Sequence, residues 1–200
     1  MKLRNIFPLS GVLLLLTLFG CSSALQLTYS KPPAVPPSKG EISVIVSDER
    51  GADYGGNAPN VVGTARNTFG MPFPINAAPG REPSIVTKEL IIDCLSAAGY
   101  KVIGENKKTP KLFAALKTFW TDGYQHNRLE ILVDMELKRS AESKPTWTHD
   151  LLANAGMTWG FGGFSQFDRA FTRMLDMARD DLLKQFKSEQ FQQKYRRLKR

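Results

Sequence analysis

Residues 128–139 constrain the fold more than any other part of the sequence, because apolar and polar side chains alternate along them. The apolar positions are Leu129, Ile131, Val133, Met135 and Leu137. The polar positions are Arg128, Glu130, Asp134, Glu136 and Lys138, and Leu132 is the exception. Successive side chains of a β-strand point to opposite faces, so the alternation predicts a strand with one buried and one wet face. This pattern is typical of an antiparallel sheet.

Shorter patterns predict the other strands. They cover residues 42–46, 100–103, 112–121 and 146–155. In the 112–121 strand the alternation places four apolar side chains on one face, Leu112, Ala114, Leu116 and Trp120.

Two helices are predicted. The first covers residues 84–98, with Pro83 at its start and Gly99 as its C-cap. The second begins at Ser165, which forms a capping-box-like pair with Asp168. Its apolar stripe recurs at helical spacing and consists of Phe167, Phe171, Met174, Ala178, Leu182 and Phe186. The predicted fold is therefore α+β, an antiparallel sheet of about four strands with two helices packed on one face.

Glycine, proline and asparagine interrupt every periodic pattern in residues 49–82. Loops this long are uncommon in compact domains and are usually functional or disordered. Apolar residues in this stretch, Val61 and Phe69 among them, argue against pure disorder. We therefore predict a long loop that is partly docked on the domain, with a short strand near Val61.

The first twenty residues have the anatomy of an export signal. Lys2 and Arg4 precede an apolar run over residues 12–19, which is too short to span a bilayer as a mature helix. The sequence Leu-Phe-Gly-Cys that ends at Cys21 resembles the bacterial lipobox, in which the cysteine is acylated and the signal is removed before it. A plain signal peptide, or an N-terminal anchor with an incidental cysteine, is the alternative.

Ser22 and Ser23 follow Cys21, where an inner-membrane retention signal would carry aspartate. By resemblance to enterobacterial sorting rules, we expect lipid anchoring in the outer membrane, facing the periplasm. The predicted organisation is a signal peptide at 1–20, a proline-rich tether at 21–40 and one domain at 41–200.

The charge balance is basic. The chain has 27 Lys and Arg against 19 Asp and Glu, and loss of Lys2 and Arg4 with the signal leaves a net charge of +6. Basic residues crowd the C-terminus, namely Lys194, Arg196, Arg197, Lys199 and Arg200. Such a tail is either a solvated helix end or a contact for anionic lipid or glycan. Export argues against nucleic acid.

No motif for a reaction or a cofactor is evident. The stretch Gly160-Phe161-Gly162-Gly163 lacks the third glycine and the following parallel strand of a dinucleotide site. His126 and His149 lack the spacing of a metal site, and no G-x-S-x-G elbow is present. Cys94 lies on the apolar side of the first helix, which is typical of a small buried hydrophobe. We therefore expect a protein that is not an enzyme and has no cofactor or metal.

The whole mature chain resembles the YajG family of small bacterial lipoproteins. The resemblance rests on Cys21, the proline-containing tether, the Ile42-Ser43-Val44-Ile45-Val46-Ser47-Asp48-Glu49-Arg50 stretch with its D-x-R turn, Val62-Gly63, the 95–102 segment and the amphipathic last helix. The family is largely uncharacterised, so the resemblance implies a cellular location and a fold rather than a reaction.

Three hypotheses for function follow. The first is a non-enzymatic adaptor for an envelope protein, which it would bind through Val61, Val62, Arg66, Phe69, Met71 and Phe73. The second is a module for cell-wall glycan or anionic lipid that uses exposed aromatic residues and the basic tail, including Arg196, Arg197, Lys199 and Arg200. The third is a hydrolase, which would require a set of three catalytic side chains that no motif in the sequence indicates; changing His126 and His149 together would test it.

Overall fold

The computed structural model describes residues 24–66, 69–106, 108–123, 128–156 and 164–199. Its strands are β1 (Gly40–Asp48), β2 (Val61–Arg66), β3 (Pro72–Asn76), β4 (Tyr100–Ile103), β5 (Lys111–Asp122), β6 (Arg128–Lys138) and β7 (Trp147–Gly156). Its α-helices are α1 (Pro83–Ala97), α2 (Phe164–Lys187) and α3 (Glu189–Lys199), and a 3₁₀ turn covers Ala52–Tyr54.

The strands form one mixed sheet around β5. On one side β6 pairs antiparallel with the whole of β5, and β7 pairs antiparallel with β6. On the other side β1 pairs parallel with the first half of β5, and β2 pairs parallel with its end. Then β4 pairs parallel with β1, and β3 pairs antiparallel with β2. The prediction of an antiparallel sheet of about four strands was therefore wrong in strand number and in pairing.

The helices cover one face of this sheet. The five apolar side chains that alternate along β6 are buried there, as are all six members of the predicted stripe on α2. Both ends of α1 lie within one residue of their predicted positions, and Gly99 adopts the left-handed φ of +91° that a helix C-terminus favours. The uncovered face of the sheet is called the open face below.

A register shift in β5 changes the side chain that enters the core. The shift lies between Leu116 and Thr118 in the pairing with β6, so the alternation is displaced by one residue after it. Phe119 is consequently buried and stacks on Phe171 at 5.6 Å between ring centroids. The prediction that Trp120 shares the face of Leu116 was wrong, because Trp120 lies on the open face.

The molecule has two distinct ends. At the hairpin end β5 and β2 finish, β6 begins, β7 finishes and α2 begins. At the tail end β1, β4 and β5 begin and α2 gives way to α3. A break at Ser188 separates α2 from α3, and the Ser188 hydroxyl accepts the Phe191 N–H at 3.2 Å.

Candidate functional site

The segment predicted as a long loop contains the hairpin of β2 and β3. β2 begins at Val61, near which a short strand was predicted, and β3 was not predicted. Gly63 allows β2 to approach β5, because a Cβ at this position would lie 2.4 Å from the Thr121 carbonyl oxygen. Pro72 and Pro74 are tolerated because, among the described strands, β3 pairs with β2 and lies at the edge of the sheet.

Arg50 fixes the chain between β1 and β2. Its buried guanidinium donates to both carboxylate oxygens of Asp48 at 2.9 Å. It also donates to the carbonyl oxygens of Pro59 at 2.9 Å, Val61 at 2.8 Å and Tyr54 at 3.3 Å. All five guanidinium N–H groups therefore have an acceptor, and the base of the hairpin is held by a single side chain.

Apolar side chains are exposed at the tip of this hairpin. Phe69 is 87% exposed and Met71 is 58% exposed. Arg66 is exposed and donates to the Gly70 carbonyl oxygen at 3.0 Å across the turn. The tip therefore presents two large apolar side chains and one cation on a hairpin whose base is fixed.

The structure separates the six predicted partner-binding residues. Val62 is 0% exposed and belongs to the core, so it cannot contact a partner. Val61 is half-buried, and Phe73 is half-buried and packs against the core. Only Arg66, Phe69 and Met71 are placed together at the exposed tip.

The N-terminal segment is docked on the helices. Leu25 and Leu27 are each 1% exposed and belong to the core. Leu25 forms a parallel bridge with Ala77, directly after β3. Residues 25–31, named the strap here, are therefore part of the folded domain, whereas the sequence predicted a free tether over 21–40.

The strap runs parallel to α2. Every second strap residue meets the next turn of the helix, in the pairs Gln26 N with Asp168 Oδ1 (3.2 Å), Thr28 Oγ1 with Thr172 Oγ1 (3.3 Å) and Ser30 N with Asp176 Oδ1 (2.8 Å). Two extended residues advance about 6.6 Å and four helical residues about 6 Å, so the two repeats match.

α1 holds the other side of the strap. Arg81, just before α1, donates to the carbonyl oxygens of Gln26 at 2.9 Å and Leu27 at 2.6 Å. Tyr29 donates its hydroxyl to Asp93 Oδ2 at 2.7 Å. Burial and then this hydrogen bond raise the pKa of Tyr29 above its ordinary value, so the hydroxyl remains a donor.

Basic residues gather at the tail end. Tyr195 of α3 donates to the Glu41 carbonyl oxygen at 2.7 Å, which places α3 against the start of β1. Arg196, Arg197 and Lys199 are exposed on this helix, and Arg200 lies outside the described residues. Burial and then the charge of Lys187 and of Arg196 lower the pKa of Lys39, as expected in a region of positive potential.

A groove of about 560 Å³ lies on the open face near the hairpin end. It is lined by Tyr54, Thr118, Trp120, Asp122, Arg128 and Glu130. The rings of Tyr54 and Trp120 are nearly perpendicular, at 84°, with centroids 6.2 Å apart. Aromatic faces beside carboxylates suit a flat, polar ligand such as a sugar ring.

The residues considered for catalysis do not form a reactive set within the described ranges. His149 Nε2 lies 2.6 Å from Asp181 Oδ2 and links β7 to α2. Cys94 is buried, as predicted, and burial raises the pKa of its thiol to about 12. Among the residues that the structure describes, no three metal-binding side chains are grouped. His126 and residues 160–163 lie outside them.

Cys21, Ser22 and Ser23 also lie outside the described residues. In the part of the chain that the structure describes, no helix combines the length and the apolar character needed to cross a membrane.

Solved structures with this fold include two with substantial coverage. A DUF330 protein from Xanthomonas campestris has a TM-score of 0.58 and 11% identity, over 88% of this chain and 98% of that one. An uncharacterised protein has a TM-score of 0.50 and 10% identity, over 79% and 99%. At these identities the similarity shows the fold alone.

A Caulobacter crescentus protein described as a lipoprotein has a TM-score of 0.32 and 12% identity, over 50% of this chain and 77% of that one. This similarity is too low to carry an argument. No family model matches the sequence, and no curated protein matches it.

Neither the strap nor the groove was predicted from the sequence. A signal for the strap was present, because Leu25, Leu27 and Tyr29 alternate with Gln26 and Thr28 in the period of an extended chain. The groove had no such signal, since Tyr54 and Trp120 are brought together by Arg50 and by the register shift in β5.

Proposed function

We propose that this protein is a lipoprotein anchored through Cys21 in the outer membrane, facing the periplasm, and that it binds an envelope partner without catalysis. The observation that carries the proposal is the exposed tip of the β2–β3 hairpin. Phe69 and Met71 stand at the end of a hairpin whose base is fixed by Arg50 and by close packing on β5.

The rigid support favours binding at the tip. Exposed apolar side chains cost least to bury in a contact when the backbone beneath them is already ordered, because less conformational entropy is lost on binding. The three candidate side chains, Arg66, Phe69 and Met71, combine apolar area with one cation. This chemistry suits a surface that is apolar and bears anionic or carbonyl groups.

Among the described residues, the side chains that a hydrolase could use have structural roles, which favours a binding role over hydrolysis. The sequence has no nucleophile elbow, and His149 is engaged with Asp181 between a strand and a helix. Cys94, with its raised pKa, lacks the thiolate character of a nucleophile.

A glycan-binding module is the second candidate. The groove at Tyr54 and Trp120 favours it, because sugar rings stack on aromatic faces and their hydroxyl groups pair with carboxylates such as that of Glu130. In this version of the hypothesis, the groove replaces the basic tail as the main contact.

Photo-crosslinking in living cells tests the proposal. A photoreactive residue is placed at Phe69 on the tip, at Glu130 in the groove or at Gln193 on α3, and the adducts are identified by mass spectrometry. We expect discrete adducts from position 69 and none from 130 or 193. Glycan adducts from 130 alone would favour the groove, and adducts from 193 alone would favour the tail. The lack of any adduct from 69 contradicts the proposal.

A further inference from the structure

The direction of the strap shows where the chain leaves the domain. The strap is parallel to β3 at the bridge between Leu25 and Ala77, and parallel to α2, which begins at the hairpin end. At its other end the chain reaches the tail end, where the backbone N–H groups of Ser38 and Lys39 donate to the Gly99 carbonyl oxygen at 3.0 Å. Followed backwards from Leu25, the strap therefore points towards the hairpin end.

Chain length then limits how far the anchor can lie from the hairpin. Leu25 is four residues after Cys21, and four residues span at most about 14 Å when fully extended. Leu25 pairs with Ala77, and the six residues from Ala77 back to Met71 extend about 20 Å towards the tip. The tip thus reaches further towards the hairpin end than the chain that leads to Cys21.

We propose that the hairpin tip contacts the lipid bilayer in which Cys21 is anchored, with Phe69 and Met71 inserted at its surface. This inference rests on the proposed lipid anchor and names the partner of the tip. The chain between Cys21 and Leu25 is too short to hold the tip away from the bilayer that contains the acyl chains of Cys21. The tip therefore lies within reach of that bilayer.

The chemistry of the tip fits a bilayer surface. Phe69 and Met71 supply apolar side chains of the kind that enter the boundary between headgroups and acyl chains. Arg66, which donates a hydrogen bond to the Gly70 carbonyl oxygen, lies beside them. Its guanidinium would there contact the phosphate groups of the lipids. The anchor and the tip would act as two linked membrane contacts, which strengthen each other because the second forms within one molecule.

The basic helix lies away from this bilayer. β6 runs from the hairpin end to the tail end, and its eleven residues extend about 33 Å. Arg139, just after β6, donates to the Leu198 carbonyl oxygen of α3 at 2.7 Å. With the tip on the membrane, the exposed cations of α3 are separated from that membrane by the length of the sheet, well beyond a Debye length of about 8 Å.

Spin labelling tests the inference. The full-length, processed protein is placed in vesicles of phosphatidylethanolamine and phosphatidylglycerol. In a Cys94→Ala background, one nitroxide is placed at Met71→Cys, Glu130→Cys or Gln193→Cys. Vesicles are floated first, and power saturation then measures collision with oxygen, which partitions into lipid, and with a water-soluble nickel chelate. We expect the rate of collision with the nickel chelate to fall severalfold at position 71 and to stay unchanged at positions 130 and 193.

A second variant checks the role of the apolar tip. Phe69→Asp should restore nickel collision at the Met71→Cys label, whereas Leu152→Asp, at an exposed apolar residue of the open face, should leave the label protected. Equal nickel collision at the three labels on floated vesicles would overturn the inference and leave the anchor intact. Protection at 71 that needs added envelope protein would also overturn it, in favour of a protein partner. Protein that does not float contradicts the proposed anchor and, with it, the inference.

Discussion

Arg50 is the residue on which the segment between β1 and β2 depends. Its side chain is fully buried, and Asp48, its carboxylate partner among the described residues, is partly exposed. The three carbonyl groups that it also binds come from the chain on the way to β2. A buried guanidinium with five acceptors is costly to replace, because each acceptor that loses its donor stays away from water.

Arg50→Lys is expected to lower the free energy of unfolding by about 2 to 4 kcal/mol, since an ammonium cannot reach the same acceptors in a planar fork. Lys117→Gln is the control, because Lys117 pairs with Glu49 at 2.6 Å near the same turn but in solvent. Such an exposed pair contributes little to the free energy of unfolding, because solvent screens it. Urea unfolding followed by circular dichroism measures both, and equal midpoints would contradict the role given to Arg50.

The register shift in β5 shows why some single positions could not be predicted. Alternation counted from Leu112 places Trp120 in the core, and the shift near Lys117 places Phe119 there instead. The sequence carries no local sign of the shift, because it is fixed by pairing with β6 and by Phe171 of α2.

Among the secondary-structure elements, those with long periodic patterns could be predicted. α1, α2 and β6 follow the helix and strand periods over many residues, and their buried faces lie where the pattern places them. β2 and β3 could not be predicted in full, because glycine and proline interrupt them and their partner strands are distant in the chain. The parallel pairing of β1 with β4 and β5 likewise depends on tertiary packing rather than on a local pattern.

The strap is the element whose role differs most from the expectation. Leu25→Ala is expected to lower the free energy of unfolding by about 2 to 4 kcal/mol, because it leaves a cavity where a fully buried side chain packs. Val35→Ala, at an exposed residue in the same proline-rich segment, should change it by less than about 0.5 kcal/mol.

Thermal unfolding of the two variants and the parent domain provides the comparison. If Leu25→Ala had the same melting temperature as Val35→Ala, residues 25–31 would be a free tether. A lower melting temperature for Leu25→Ala alone supports a strap that belongs to the core.

For the whole molecule, the docked strap would link the proposed lipid anchor to the orientation of the domain. A free tether of residues 21–40 would let the domain turn in any direction above the membrane. A strap that is docked from Leu25 leaves at most about 14 Å of chain back to Cys21, so a lipid anchor at Cys21 would lie near the hairpin end. The groove near that end and the basic α3 at the other end would then face different surroundings.

The proposed anchoring and orientation of the protein depend most directly on the chemical state of Cys21. Intact-mass and N-terminal mass spectrometry of the protein extracted from bacterial membranes measures that state. We predict a mature chain of 180 residues that begins at Cys21 and carries acyl groups on this residue. A chain that retains residues 1–20, or that begins elsewhere with Cys21 unmodified or absent, would contradict the proposed lipid anchor.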